Sequence, residues 1–320
     1  KGVINMNKLK KIGLTALAGT LVSVSANALD LSVTGGASIS FAGEEGVETG
    51  NGWSMNDGLT FTASGEMDNG FNVTVKQVID SSDGNAGAIM DTRQLTIDMG
   101  DQGTLTFTGD GGSSVLDAVD DVTPNANEEA WADVTGATAA IGGTGGNNMF
   151  HYTNSSLMDG LSVSASYTPS NGATEVESSE DYGFEYTGID GLKIGAAFGD
   201  HNTSATAGED LSTMYVKYAM DAFTVGYQAS EKDSETASSD VDFSAIGISY
   251  AVSEDMSVSL NSSTHEYEDT TKSDQEAMGI SVSYTMGSLS LKANHNQIDN
   301  VAGTSTSDKS GYALTLGFTF

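Results

Sequence analysis

The sequence predicts an all-β protein, a 16-stranded antiparallel transmembrane β-barrel with a long third loop. Three observations support this prediction. Apolar and polar residues alternate with period two, short and long connections alternate along the chain, and tyrosines recur at the spacing of one hairpin. After Ala28, no stretch approaches the roughly 18 consecutive apolar residues of a membrane-spanning helix. Strands are therefore the elements expected to cross a membrane.

The composition excludes several classes of protein. The 320 residues include 39 Gly, 2 Pro and no Cys, and 44 acidic against 12 basic residues give a net charge of −32. Without cysteine there is no disulfide scaffold, thiolate metal site or cysteine nucleophile. Strong negative charge repels phosphates, so nucleic acid is not an expected partner. With 38% hydrophobic residues, the chain is not expected to be disordered as a whole.

Residues 1–28 have the features of upstream material followed by a secretory signal peptide. We take Met6 as the initiator. Lysines precede the apolar run Ile12–Val24, which leads to Ala26-Asn27-Ala28, the small-x-small pattern of a signal peptidase site. An amphipathic first helix of a soluble protein is the alternative. The order of basic, apolar and small residues favours a cleaved signal peptide, Met6–Ala28, and a mature barrel over residues 29–320.

Alternating rows identify strands from one end of the mature chain to the other. Apolar residues occupy every second position in Leu29–Phe41, Leu59–Ala63, Phe71–Val75, Leu95–Met99, Leu161–Tyr167, Phe223–Tyr227, Ile246–Tyr250, Met278–Tyr284, Leu289–Ala293 and Tyr312–Phe320. The intervening residues are mostly Ser, Thr, Asn and Gly. This pattern is compatible with a sandwich or solenoid that has its apolar face inward, and with a membrane barrel that has it outward.

The connections favour the barrel. Seven short turns rich in Asp, Asn and Gly lie at 67–70, 100–103, 154–160, 188–191, 220–221, 252–255 and 286–287. Eight longer polar stretches lie near 43–57, 80–91, 109–147, 168–180, 199–210, 229–240, 264–274 and 297–309. Eight hairpins joined by seven turns give sixteen strands with all long loops at one end. A membrane barrel has this asymmetry, and a sandwich has no reason for it.

Five tyrosines each close a strand before a short turn, at spacings of 34, 32, 32 and 34 residues: Tyr152, Tyr186, Tyr218, Tyr250 and Tyr284. The spacing corresponds to one hairpin per repeat. Tyrosine prefers the membrane boundary because its ring is apolar and its hydroxyl reaches water or headgroups. We therefore predict an aromatic girdle at the turn end; a core tyrosine at each strand end of a sandwich is the alternative.

With its signal peptide, sixteen alternating strands, very long third loop and last strand ending in Phe320, the sequence resembles the general-diffusion porins of the Gram-negative outer membrane, most of all the alphaproteobacterial type. The resemblance covers residues 29–320. It implies a homotrimeric passive channel for small hydrophilic solutes and ions, in contact with outer-membrane lipid and lipopolysaccharide. It also implies that the long third loop is folded into the lumen and forms the pore constriction, and that Phe318 and Phe320 belong to the signal recognised by the barrel-assembly machinery. This chain has a single Arg, where relatives often place several Arg opposite the acidic loop.

The third loop, residues 109–147, is the candidate constriction. Structureless connections of this length are usually functional or disordered, and Val115, Leu116, Val119 and Trp131 are expected to anchor it. Its acidic residues are Asp110, Asp117, Asp120, Asp121, Glu128, Glu129 and Asp133, and the bases with lumen parity are Lys76, Lys193, Lys217 and Lys292. Carboxylates beside a narrow water column concentrate cations, so we predict a cation-preferring pore. A solvated surface flap is the alternative for this loop, and Arg93 is expected at headgroups or a subunit contact.

No enzyme site or confident metal site is expected. The four histidines, at 151, 201, 265 and 295, lie on four different hairpins. Gly142–Gly146 lacks the Lys and helix that follow a phosphate-binding loop, and is more easily explained as a hinge. Asp80–Gly84 and Asp110–Gly112 could bind Ca²⁺ through oxygen ligands, although neither has EF-hand spacing. The alternative function is an exported, acidic, Gly-rich structural or adhesive protein that binds calcium at the cell surface.

Overall fold

The computed structural model describes residues 30–46, 51–80, 90–143, 146–170, 177–204 and 207–320. Sixteen antiparallel strands of this part form one closed barrel, in which each strand pairs with its neighbours in sequence and the last strand pairs with the first. The sixteen-stranded antiparallel barrel predicted from the sequence is confirmed. The predicted signal peptide, Met6–Ala28, lies outside the described residues.

The strand bounds are β1 (Asp30–Glu44), β2 (Trp53–Glu66), β3 (Asn72–Asp80), β4 (Met90–Asp98), β5 (Thr104–Asp110), β6 (Met149–Met158), β7 (Leu161–Thr168), β8 (Ser179–Ile189), β9 (Leu192–Ser204), β10 (Ala207–Met220), β11 (Phe223–Ser234), β12 (Val241–Ala251), β13 (Met256–Tyr267), β14 (Gln275–Met286), β15 (Leu289–Asp299) and β16 (Lys309–Thr319). Short 3₁₀ helices span Gly100–Gln102, Asp117–Val119 and Val301–Gly303. Among the described residues, no helix is both long and apolar enough to cross a bilayer.

The two faces of the wall differ as the alternation predicts. On β10, Met214, Val216 and Tyr218 are 64%, 40% and 44% exposed, whereas Leu211 and Tyr215 are 4% and 5% exposed. Successive strand residues point to opposite faces, so the exposed apolar row lies outside the barrel and the buried row inside. An apolar outer surface of this kind is the lipid-facing surface of a membrane barrel, not the core of a sandwich.

The barrel closes between β1 and β16. Their register runs from Gly36 opposite Thr319 to Glu44 opposite Gly311. Phe320 extends the pairing, because its N–H donates to Gly35 O and the Gly35 N–H donates to its carbonyl, both at 2.9 Å. Closure pairs the main-chain groups of both terminal strands, which an open edge in lipid would leave without partners.

Connections at the loop end are shorter than predicted on one side of the barrel. β9 ends at Ser204 and β10 begins at Ala207, so only residues 205–206 separate them where the sequence predicted a loop over 199–210. The strands continue beyond their apolar rows through Asp200 and Asp210, which are directly opposite each other. Apolar periodicity identifies only the lipid-facing part of a strand, and the polar continuation resembles a loop in sequence.

One turn also differs from its prediction. The sequence placed a turn over 154–160, but β6 continues to Met158 with a register shift against β7 after Asn154. The turn is reduced to Asp159 and Gly160, and Gly160 has a φ of 75°. Such a φ is easily reached only by glycine, which explains the residue type at this tight connection.

Candidate functional site

Residues 111–148 connect β5 to β6 and are called loop 3 below. Two main-chain hydrogen bonds of 3.1 and 2.9 Å join Gly112 and Gly146 and close the loop at its base. The sequence placed Asp110 in this loop, but Asp110 is the last residue of β5 and lies in register with Arg93 of β4. The hydrogen-bond register of β5 extends further than its apolar row, so the acids of the loop begin at Asp117.

A buried carboxylate fastens the first segment of loop 3 to β7, β8 and β9. Asp181 Oδ2 accepts hydrogen bonds from the Leu116 N–H (3.3 Å) and the Ser166 hydroxyl (3.1 Å), and Oδ1 lies 2.5 Å from His201 Nε2. Ser166 Oγ accepts the Val115 N–H at 2.9 Å. In a hydrolytic triad the imidazole stands between the serine and the carboxylate. Here the serine and the imidazole both contact the carboxylate, so the three side chains are arranged to hold loop 3 and not as a triad.

Side-chain amides on β11 and β13 hold the middle of loop 3. Gln228 donates from Nε2 to Asp120 O at 2.6 Å and accepts the Val122 N–H at 3.1 Å. Asn261 donates from Nδ2 to Pro124 O at 2.9 Å. Both amides are buried, Gln228 completely. They supply main-chain groups of the loop with the partners that buried polar groups need.

The next segment of loop 3 is bound to β15. Asn296 Nδ2 donates to the carbonyl oxygens of Glu129 and Ala132, at 3.1 and 2.8 Å. Asn294 Nδ2 donates to the carboxylate of Asp133 at 2.7 Å. One of the predicted constriction acids is therefore bound to the barrel wall through its own carboxylate.

The last segment of loop 3 reaches β14, β16 and β1. Gln275 accepts the Thr138 N–H and donates to the Thr138 carbonyl, both at 2.9 Å. Glu44 accepts the Thr135 N–H at 2.9 Å and forms a 3.1 Å ion pair with Lys309, which also donates to Thr135 O. The loop thus follows the inward-facing side chains of the wall from β7 round to β1.

Two apolar clusters lie between loop 3 and the wall. The first joins loop residues Val115, Leu116 and Ile141 to wall residues Ala197, Leu211, Phe243 and Ala245, with Val119 and Trp131 packed at its edge. The second joins Ala130 and Val134 to Ala277, Ile298 and Val301. Trp131 meets Phe243 edge-on, with ring centroids 5.4 Å apart. The four apolar anchors predicted in the loop are confirmed, and their burial stabilises the loop against the wall.

Five acids of loop 3 form one electrostatic group: Asp117, Asp120, Asp121, Glu128 and Glu129. Burial, together with the charges of Asp121 and Asp117, raises the pKa of Asp120 to about 7. Burial and neighbouring carboxylates also raise the pKa values of Asp121, Glu128 and Glu129. Like charges in one group disfavour simultaneous ionisation of its members.

Two of the predicted wall bases are neighbours in the sheet. Lys193 of β9 lies directly opposite Lys217 of β10. The ammonium of Lys193 is 2.9 Å from the carboxylate of Glu185, which also accepts a 2.7 Å hydrogen bond from the Tyr215 hydroxyl. Lys193 is therefore compensated by an acid of the wall itself.

The other bases differ in their relation to loop 3. Lys217 favours the ionised form of Asp121, and Lys292 does the same for Glu128, so both lie on the side of the barrel that the loop covers. Lys76 lies on β3, in the first quarter of the barrel. The four lysines thus do not form one basic surface facing the acids.

The inner wall around Lys76 consists mainly of hydroxyls and amides. Lys76 is in register with Thr62 on one side and Gln94 on the other. Neighbouring hydroxyls bond to each other, as in the 3.1 Å contact between Thr96 and Thr106. This part of the inner wall therefore presents mostly uncharged polar groups.

The predicted girdle and terminal aromatics lie on the outer face. Tyr218, Tyr250 and Tyr284 are exposed there near the turn end, while Tyr152 and Tyr186 are partly buried. Tyr152 donates to Gln102 O at 2.7 Å, in the turn between β4 and β5. The outward side chains at the end of the chain are Phe318 and Phe320, 48% and 74% exposed.

The segments considered for ion binding are described only in part. Most of Asp80–Gly84 falls outside the described residues, as do 144–145 in the glycine run. In the part of the chain that the structure describes, no three His, Cys, Asp or Glu side chains are grouped as metal ligands. Added Cβ atoms at Gly142 and Gly143 would meet Asp120 and Ser114, so these glycines allow close packing within loop 3.

Sequence reasoning missed the wall residues that hold loop 3. Asp181, His201, Gln228, His265 and Gln275 are all buried at positions of lumen parity. Two of the four histidines have this role: His201 contacts Asp181, and His265 Nε2 lies 2.8 Å from Ala139 O. The sequence does carry one signal for these residues, which is side-chain size: amides and imidazoles replace small hydroxyls on the inner rows of β8 to β15.

Comparisons with known proteins agree with the barrel fold. The sequence model of the Gram-negative porin family matches residues 13–303. No curated protein sequence matches the chain. An anion-selective porin from Comamonas acidovorans is similar in structure, with 11% identity, a TM-score of 0.72, and coverage of 91% of this chain and 100% of that one. A loop-deletion mutant of OmpT from Vibrio cholerae (15% identity, TM-score 0.67, 92% and 100% coverage) and a mutant of the Rh. blastica porin (14%, 0.65, 91% and 100%) share the same fold.

Proposed function

Since the chain belongs to the Gram-negative porin family and is a passive channel of the Gram-negative outer membrane, we propose that its pore prefers cations and that loop 3 forms the constriction. The observation that supports this proposal is the group of five coupled loop acids opposite a wall of mostly uncharged polar groups. The solutes are proposed to be small, hydrophilic and selected by size and charge.

The electrostatic argument depends on position more than on net charge. A narrow water column with low-dielectric walls focuses the field of nearby carboxylates, which raises the local cation concentration. Charges more than about 8 Å from the path are screened at physiological ionic strength. Lys217 and Lys292 offset part of the charge of Asp121 and Glu128, which leaves the acids of loop 3 in excess.

The described anion selectivity of the Comamonas porin does not transfer with the fold, because the two chains are only 11% identical. Selectivity depends on the charges at the constriction. The one arginine of this chain, Arg93, is exposed on the outer face, where it donates to Gly109 O at 3.4 Å. It adds no positive charge to the lumen.

The experiment is a reversal-potential measurement on the purified protein in planar bilayers under a KCl gradient. We expect the sign of the reversal potential to show cation selectivity, and we expect the selectivity to be strongest at low salt. Replacing Lys76→Gln removes the base of the opposite wall and should increase the preference. An anion-selective protein would refute the proposed role of loop 3.

We also propose a homotrimer whose contact includes the outer face of β2 to β4. Gln77 and Arg93 are exposed and directly opposite each other there, among lipid-facing residues of other strands. Polar groups facing lipid are costly, and a subunit contact removes that cost. The small residue Ala313 of β16 is not available for an outer contact, because it has lumen parity, out of phase with the outward Leu314. Crosslinking in mild detergent should give trimers, and Arg93→Glu should weaken them.

The girdle tyrosines are proposed to lie at headgroup level on the turn side, and Phe318 and Phe320 to form the assembly signal. Both roles agree with their outward placement. Lipopolysaccharide is the proposed lipid at the loop end. The calcium-binding surface protein is not favoured, because the sequence belongs to a channel family and its strands close into one barrel.

A further inference from the structure

A row of small and amide residues crosses the inner face from β11 to β16. Each member is directly opposite the next on the neighbouring strand, in the order Gly226, Gly247, Asn261, Gly279, Asn296 and Gly311. We call it the glycine–asparagine row. None of its four glycines has a positive φ. Their backbone conformations are open to any residue, so the reason for glycine lies in the space above the wall.

Loop 3 occupies that space. A Cβ added at any glycine of the row would meet main-chain or ring atoms of the loop. It would lie 2.6 Å from Pro124 Cδ at Gly226, 2.6 Å from Pro124 O at Gly247, 3.0 Å from Ala130 Cα at Gly279, and against the Asp133 carbonyl at Gly311. Glycine inside a strand commonly marks the close approach of another backbone. The row is therefore the surface on which residues 124–133 lie.

The two asparagines use the same space. The side chain of Asn261 extends over Gly247, where its Nδ2 would lie 2.6 Å from an added Cβ, and that of Asn296 extends over Gly279. From these positions their Nδ2 groups donate to the three loop carbonyls described above. Glycine thus makes room both for the loop and for the amide that binds it.

We propose that the glycine–asparagine row positions the constriction. It sets how far residues 124–133 stand from the wall, and with them Glu128 and Glu129. This inference rests on the proposed function of loop 3 as the constriction. The members of the row are positioning residues, because they contact the loop and act on the water path only through it.

Gly279→Ala tests the row in the intact protein. The added methyl group would push Ala130 and Asn296 away from β14, which moves the loop into the lumen. We expect a lower single-channel conductance and a shifted reversal potential, with unchanged heat-modifiable folding. Gly58→Ala is the matched control on the inner face of β2, because the nearest atoms to its added Cβ are at 3.5 Å or more and belong to β3. Equal conductance in a folded Gly279→Ala variant would overturn the proposal.

A cysteine pair tests the placement without relying on conduction. A Cβ at Gly279 would lie 3.4 Å from the Ala130 Cβ, near the roughly 3.5–4.5 Å of a disulfide, and the chain has no other cysteine. Oxidised Gly279→Cys with Ala130→Cys should give a crosslinked band that dithiothreitol removes, and Gly58→Cys with Ala130→Cys should not. If the double-cysteine variant folds but does not form this crosslink, the proposed position of the loop on the row is refuted. A crosslink in the variant together with an anion-selective wild type would refute the proposed role of loop 3 as a cation-preferring constriction and leave the position of the loop on the row intact.

Discussion

Gln228 on β11 donates a 2.6 Å hydrogen bond to the main-chain carbonyl of Asp120, which lies 108 positions earlier in the chain. The same amide accepts the Val122 N–H at 3.1 Å, so it bonds to the loop on both sides of Asp121. Gln228 is fully buried. A wall residue therefore fixes the main chain that carries two of the acids proposed to set selectivity.

Replacing Gln228→Leu should loosen loop 3 without opening the barrel. The Asp120 carbonyl and the Val122 N–H would lose their buried partner, at a cost of about 1–3 kcal/mol in the local opening free energy of the loop. Hydrogen exchange of residues 115–125 should become faster, and single-channel recordings should become noisier. Gln94→Leu, the same change on the inner face of β4, is the control. Unchanged exchange in the Gln228→Leu protein would show that this amide does not hold the loop.

Selectivity should depend on pH because Asp120 titrates near neutrality. Burial and neighbouring carboxylates raise its pKa to about 7, so this group is mostly neutral at pH 6 and mostly charged at pH 8. Cation preference should therefore rise between these values. Asp120→Asn should remove most of that rise. Lys76→Gln alters charge on the other wall and should shift the whole profile while retaining the step. A wild-type profile that is flat from pH 6 to 8 would argue against this assignment.

Asp181→Asn should release the first segment of loop 3. The carboxylate accepts from Leu116 N–H and Ser166 and contacts His201, and hydrogen bonds to a charged group contribute about 1.5–3 kcal/mol each. An asparagine amide is uncharged and has a single acceptor oxygen, so either the bonds from Leu116 N–H and Ser166 become weaker or the acceptor facing His201 is lost. Protease cleavage within loop 3 of the folded barrel should become faster. Asp190→Asn, in the turn between β8 and β9, should not change it. Equal cleavage rates for the two variants would refute the role of Asp181.

Two changes at Phe320 distinguish the role of its ring from the role of its main-chain hydrogen bonds. Deletion of Phe320 removes two 2.9 Å hydrogen bonds to Gly35 and should lower the folded yield in detergent, measured by heat-modifiable gel mobility. Phe320→Ala keeps both bonds and should refold normally in detergent. If the ring belongs to the assembly signal, this variant should still be depleted from outer membranes in cells. Normal membrane levels of Phe320→Ala would rule out the signal role of the ring.

The barrel was predictable because one physical pattern repeats in every strand. The rows from Leu29 to Phe320 have apolar residues on one face, and the Asp- and Gly-rich turns limit the hairpins, so strand number and order follow from sequence. The positions at which the strands end did not follow from the sequence. β9 and β10 continue through the opposed residues Asp200 and Asp210, where no apolar row exists to mark them.

The candidate site was predictable only in part. The acids and apolar anchors of loop 3 stand out in sequence because they are local. Their partners do not, because Gln228, Asn261 and Asn296 look like ordinary lumen residues until the register places them beneath the loop. Lumen parity likewise identified Lys217 and Lys292 but not their closeness to loop acids, which depends on the path of the loop.

The most direct test of the account is the reversal potential of a variant that carries Asp120→Asn, Asp121→Asn, Glu128→Gln and Glu129→Gln, measured in planar bilayers under a KCl gradient at low salt. These changes neutralise four of the six carboxylates of loop 3 and preserve side-chain size, so assembly should be unaffected. We predict a cation-selective wild type and a variant whose preference is strongly reduced. A folded variant with the selectivity of the wild type would contradict the claim that the acids of loop 3 set the selectivity of the pore.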